Sequence, residues 1–414
     1  MNDTARPLTG KTVLDLTTAL SGPYATLLLA GLGARVIKVE NPERGGDTSR
    51  NNAPYYSENG LQARRTGEND MSVSMMLRGR NKESMTLNLK TPEGRRVFLE
   101  LAATADVVVE NFSAGVTERL GVDFATLHEL NRRLVYASIS GFGAQGGPGS
   151  GKAMDTIIQA LSGTMLTAGS PGDPPVRFGL PIADMVAPLF GVIGVLAAVL
   201  ESERTGEGQH VDVSMLGTLT SLVACEPFDA FEKIGMPLRT GSYVPRLAPF
   251  GVFATQDGWF ALCGPTDAFS EGVMKALGVP ELADDDRFSR RDNRVHNADE
   301  LHAMIAGWAQ HLTAAEAVRR LEEHGVPSAP VRETGDAVRD PLVLSRGEVE
   351  QLRHPVFGVA EELYGSGVPI IFSGSSTSLD RPAPWLGEHT ASVLTELLGY
   401  DEGQIAALKD AGAL

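Results

Sequence analysis

The first forty residues constrain the fold most. "TVLDLT" at 12–17 and "ARVIKVE" at 34–40 are short apolar runs rich in β-branched residues, and "SGPYATLLLAGLG" between them has helical length and ends on glycines. Such runs read as buried strands flanking a helix, so the chain opens with a strand, helix, strand unit. The rhythm continues with "ADVVVENF" at 105–112 and "LVYASIS" at 134–140 as further buried strands, and with a helix opened by Thr91 and Pro92 in "TPEGRRVFLELAAT". Strands alternating with helices specify a parallel α/β domain. Beyond about residue 220 the texture changes: "GVFATQDGWFALCG" at 251–264 reads as a hairpin turning at Asp257 and Gly258, and helical stretches such as "AAEAVRRLEEHGVP" come after it. The chain therefore divides into 1–220, the first part of a large α/β domain; 221–335, a smaller α+β domain with its linkers; and 336–414, which returns to complete the large domain. The last part holds a strand pair around "HPVFG" and a helix in "GEHTASVLTELLG", where His389 has a structural place near the helix start.

Charge and cysteine content exclude several functions. Fifty-two acidic against 36 basic side chains leave a formal charge of −16, which repels nucleic acid and anionic membrane surfaces while leaving room for a local basic pocket. Cys225 and Cys263 are too few for a disulfide framework or a thiolate-held metal and suit a reducing cytoplasm. "MNDTARPLTG" has no apolar core, so no signal peptide is expected. The apolar run at 185–200 is interrupted by Pro188, Gly191 and Gly194 and falls short of the roughly 20 residues that span a bilayer, so it reads as a buried core helix.

"GFGAQGGPGSGK" at 141–152 matches two nucleotide-binding patterns. Neither holds. The residues after the third glycine, "GPGSGK", cannot open a helix, Ala153 replaces the hydroxyl that would hold Mg²⁺, and Glu40 alone is a poor ribose-binding acid. The stretch reads instead as a flexible glycine loop over a cleft. Asp184, immediately before the apolar run, stands at the mouth of a helix, where it is either an N-cap or an ionised nucleophile favoured by the helix N-terminus. The eight histidines show no metal-binding spacing, no G-x-S-x-G occurs, and neither cysteine has the setting of a nucleophile, so no metal is expected.

Several motifs in order carry a resemblance over nearly the whole chain: "VLDLTTALSGPYATLLLAGLGARVIKVENPERGGDTSR", "NKESMTLNLKTPEG", "ADVVVENFSAGVTERLG", "SISGFGAQGGPG", "MDTIIQALSG", "ADMVAPLFGVIGVLAAVLESERTGEGQHVDVSM" and "PAPWLGEHTASVLTELLGYDEGQI". The chain resembles the class III CoA-transferases of the CaiB/BaiF family, which are related to α-methylacyl-CoA racemase. The resemblance implies a Rossmann-like large domain with a parallel sheet, a smaller α+β domain, and two chains interlocked as a homodimer. It implies Asp184 as the nucleophile, with Asp155 assisting, and no tightly bound cofactor. Coenzyme A, as a substrate, would be held by Arg44, Leu87, Lys90, Asn111, Phe112, Arg119, Gly151, Lys152 and Met154, with Arg50 the alternative to Arg44 at the 3′-phosphate end. Thr18, Ala19, Leu20 and Ser21 would border the acyl group. Glycine-loop N–H groups near Asp184 are candidates for stabilising the oxyanions. Met154 stands where the racemase branch has a histidine, and the small domain lacks the glycine run of the formyl-CoA branch, so transfer to a larger acid is favoured. A dicarboxylate with succinyl-CoA as donor suits this reading, with Arg246 or Arg239 as partner of the distal carboxylate. A racemase-like enzyme and a non-catalytic CoA-binding protein are the alternatives.

Overall fold

The computed structural model describes residues 5–147 and 152–414, and the chain forms two compact units. The first takes in the chain to Ser162, then Phe178–Leu222 and Val338–Leu414; the second comprises Gly163–Arg177 and Val223–Ala337. The short excursion 163–177, which the sequence places in the large domain, thus belongs to the second unit.

Six strands form the sheet of the first unit: β1 Thr12–Asp15, β2 Arg35–Glu40, β3 Lys82–Thr86, β4 Val107–Glu110, β5 Val135–Ser140 and β6 His210–Ser214. All pairings are parallel, in the order β3-β2-β1-β4-β5-β6. Alternating side chains fill two cores. Val13, Val36, Val107, Val109, Val135 and Ile139 pack on one face with helix α1 (Ser21–Gly31), while Leu14, Ile37, Val108 and Tyr136 pack on the other with helix α2 (Pro92–Ala102). A sheet buried on both faces in this way explains why its central strands read as continuous apolar runs.

Helix α3 (Asp155–Leu161) and the long helix α4 (Ile182–Thr205) complete the frame of the site. Gly191 and Gly194 are notches in α4: a Cβ on Gly191 would come within 2.8 Å of Ile139, and one on Gly194 within 2.5 Å of Val211. The helix lies directly on β5 and β6 because these positions carry no side chain. Its opposite face is not buried, however, with Ile193 62% and Leu200 68% exposed alongside Leu189 and Phe190. The expected core helix is therefore buried on one side only: one apolar face lies on the sheet and the other points outward. With 24 residues and an 18-residue stretch of mean hydropathy 2.2, it is long and apolar enough to cross a membrane by length and composition, unlike the shorter run read from the sequence.

The second unit holds a three-stranded antiparallel sheet of β7 (Phe250–Ala254), β8 (Trp259–Cys263) and β9 (Ser328–Pro330), with Phe253, Phe260, Leu262, Leu301, Ile305 and Leu321 in its core. The β7–β8 hairpin closes through Thr255 N–H donating to Gly258 O at 2.9 Å.

Candidate active site

The order 3-2-1-4-5-6 reverses direction between β1 and β4, and the loops leaving their carboxyl ends must part there. In open parallel sheets that parting makes the binding crevice. The loop after β1 (Leu16–Leu20) and the loop after β4 (Asn111–Ala114) line two adjoining cavities of the first unit, which share Thr18, Asn111, Phe112 and Ser113.

The β1 loop is held from beneath by buried charge. Lys38 Nζ donates to Thr17 O at 2.8 Å and pairs with Asp47 at 2.7 Å, while Asp47 accepts the Ala19 N–H at 2.9 Å. Lys82 pairs with Asp15 at 3.0 Å and donates to Thr26 Oγ1 at 2.7 Å. All four charged residues are buried. Asn111 adds a two-way clamp, accepting the Thr18 N–H and donating to Thr18 O, both at 2.9 Å. Ala19 is held at φ +68°, a left-handed conformation costly for a residue with a Cβ, with its carbonyl accepting from Ser49 Oγ and Arg78 Nε.

The inner cavity, about 250 Å³, is lined by Thr18, Ala19, Leu20 and Ser21, by Gly141–Gly143, and by Met154, Asp184 and Met215. Asp184 is the third residue of α4 and does not cap it. That work falls to Asp155, whose carboxylate accepts from Ala183 N–H at 2.8 Å and from Gln159 Nε2 at 2.7 Å. Asp155 is buried and both its oxygens are engaged, so it fixes the helix that presents Asp184. Burial, and next the Asp155 carboxylate, raise the Asp184 carboxyl to about 6, against the lowering influence of Arg78. The carboxyl therefore keeps its proton to higher pH than a solvated aspartate does.

The outer cavity, about 520 Å³, is lined by Arg44, Leu87, Lys90, Asn111, Phe112 and Arg119. Arg44, Lys90 and Arg119 are exposed, and Lys90 has only a loose contact with Glu43 at 3.6 Å, so this acidic chain carries a local cationic rim. Arg50 is not available to it: buried, it holds Glu40 through two contacts of 2.8 and 2.7 Å. Glu40 is likewise committed.

Other expected residues fall elsewhere. Lys152 is exposed, just ahead of the cavity-lining Ala153 and Met154, and Gly151 lies outside the described residues. Arg246 belongs to the second unit and pairs with Glu226 at 2.7 Å. Arg239 is also in that unit, its guanidinium on the carbonyls of Ala168, Asp173 and Pro174. The glycine loop is fastened over 141–147, with Gly143 N–H on Ser140 Oγ, Ala144 N–H on Asp212 and Gly146 N–H on Gly143 O. A Cβ on Gly141 would collide with Ala153, so the absence of a side chain there is a packing requirement. The sequence reading missed Lys38, Asp47 and Arg78; only Lys38 had a local signal, a charge inside the apolar run "RVIKVE", which marks a buried pair.

A doubly wound sheet with a carboxylate cavity beside a cation-rimmed groove at its switch point has the layout of a binding crevice for an anionic ligand. The profile of CoA-transferase family III matches residues 8–390, and the chain belongs to that family. It is a class III CoA-transferase. It is 34% identical over 394 residues to the succinate–glutarate CoA-transferase of Agrobacterium fabrum, covering 94% of this chain and 96% of the relative. It is 37% identical to the succinyl-CoA:mesaconate CoA-transferase of Haloarcula marismortui, covering 94% and 96%. A crystal structure of a CaiB/BaiF family protein from Brucella suis superposes with a TM-score of 0.80 at 32% identity, covering 95% of this chain and all of that one.

Proposed function

We propose that the enzyme moves CoA from succinyl-CoA to a second small dicarboxylic acid, with Asp184 as the nucleophile. The observation that carries this reading is the half-buried Asp184 carboxylate in a cavity adjoining the cation-rimmed groove. Arg44, Lys90 and Arg119 suit the phosphates of CoA, and Leu87 and Phe112 suit its apolar parts. Asp184 attacks the thioester carbonyl, forming a mixed anhydride and releasing the CoA thiolate. The thiolate attacks the aspartyl carbonyl, freeing succinate and leaving an aspartyl-CoA thioester. The acceptor carboxylate attacks that thioester, and the released thiolate then takes the acyl group and regenerates Asp184. Activated acyl energy is conserved because each step exchanges one carbonyl bond for another without water. No histidine lines the inner cavity among the described residues, so proton exchange at an α-carbon has no second acid/base there.

The names of both relatives contain dicarboxylic acids, which supports that acceptor class. The outward apolar face of α4 supports an interlocked homodimer in which a second copy covers it. We place the enzyme in the cytoplasm, where CoA thioesters are formed; no disulfide joins Cys225 and Cys263. The test is a mass-spectrometric screen of carboxylic acids with succinyl-CoA and acetyl-CoA as donors, repeated with Asp184→Ala. The wild type is expected to load at least one dicarboxylate and the variant none, with hydroxylamine trapping the intermediate on Asp184. If no acid acquires CoA, or the variant retains transfer, the reading fails.

A further inference from the structure

Ser21 is the first residue of α1, and its hydroxyl has no hydrogen-bond partner among the described residues although the residue is only 3% exposed. A buried, unsatisfied hydroxyl is unfavourable and needs a reason. This one lines the inner cavity together with Asp184. The helix behind it runs for 11 residues, its N-cap Leu20 provides no side-chain acceptor, and its first N–H groups have no acceptor within the helix. Gly22 comes next, and a Cβ there would strike Thr17, so the backbone at the helix start is packed against the loop.

Several other donors around the cavity are engaged, and of its side-chain hydroxyls that of Ser21 is the buried one without a partner among the described residues. The Asn111 amide is on Thr18, and the N–H groups of Gly143, Ala144 and Gly146 are on Ser140, Asp212 and Gly143. No Arg, Lys or His lines the inner cavity among the described residues. Arg239 and Arg246 already have partners in the second unit. An acid bound beside Asp184 with a second carboxylate must place that charge away from Asp184 and Asp155. The start of α1, with a helix N-terminus and an unengaged hydroxyl, meets that need.

We propose that Ser21 determines acceptor specificity: its hydroxyl and the first N–H groups of α1 receive the non-reacting carboxylate of a dicarboxylic acid. The inference rests on the transferase reading above. It is tested with succinyl-CoA as donor and two acceptors of equal chain length, glutarate and valerate, comparing wild type, Ser21→Ala and Ser21→Thr. Ser21→Ala is expected to lower the glutarate/valerate ratio of kcat/KM by about 10- to 100-fold, the loss typical of a hydrogen bond to a charged group. Ser21→Thr, which keeps the hydroxyl, restores most of the ratio. A ratio unchanged in Ser21→Ala overturns the proposal, including the case of an equal loss with both acids, which would put the hydroxyl on the reacting carbonyl or in a structural role. Failure of the wild type to load any acid would instead overturn the transferase reading on which the inference rests.

Discussion

Asp184 is harder to ionise than a solvated aspartate, and this links its chemistry to stability. In the unfolded chain it loses its proton near 3.8, and in the folded chain near 6. The unfolded state therefore deprotonates first, and folding is progressively penalised as pH rises between those values, with the full cost present above about 6. Removing the charge should relieve that cost. Asp184→Asn is expected to be more stable than wild type at pH 7 by about 1–2 kcal/mol, allowing for partial solvent screening, with the difference shrinking towards zero below pH 4. Urea unfolding at pH 4 and pH 7 measures this, and a variant no more stable at pH 7 would contradict the buried placement of the carboxylate. The same ionisation governs the reaction, so kcat/KM should fall on the acid side with a midpoint near 6, read from a pH–rate profile. Asp184 was legible in the sequence as a carboxylate at a helix mouth. The role of Asp155 was not, because its bond to Ala183 crosses 28 positions and leaves no local pattern.

Strand β3 shows what apolar patterning misses. "KESMT" has the composition of a surface segment, yet Lys82, Ser84 and Met85 are buried, since Lys82 meets Asp15 on β1 and Thr26 on α1. Strands β1, β2, β4 and β5 were readable because most of their buried positions are hydrocarbon, with single charges such as Asp15 and Lys38 set among them; β3 was not, because Lys82 and Ser84 make one of its faces polar. Burial lowers the Lys82 ammonium to about 8 despite Asp15, while Lys38 and Lys82 hold the Asp15 carboxyl at about 2 against burial. Lys82→Met should strand a carboxylate in the core and destabilise the fold by about 3–5 kcal/mol. Adding Asp15→Leu to it should recover much of that loss in a double-mutant cycle followed by urea unfolding. If the double variant is as unstable as the sum of the singles, the pair is not the unit the geometry indicates.

Taken as a whole, the molecule exceeds what periodicity alone conveys in two respects. Residues 163–177 cluster with the second unit although they sit in the sequence between two helices of the first, a crossing that no composition change announces. Helix α4 reads as core from its hydropathy, but burial depends on what packs against each face, and one face is left outward. Light scattering of the wild type should give the molar mass of a dimer, and Ile193→Glu, which sets a charge against the second copy, should lower the thermal unfolding midpoint, since interlocked chains cannot part without unfolding. A monomer's mass for the wild type would count against the assembly proposed above. The clamp formed by Asn111 has a further consequence. It grips the peptide groups of Thr18 and makes no demand on the identity of the side chain there, nor on that of Leu20. Mutational drift at these positions can alter which acids are accepted while the backbone stays in register, so one scaffold can diversify across metabolism without being refolded at each step.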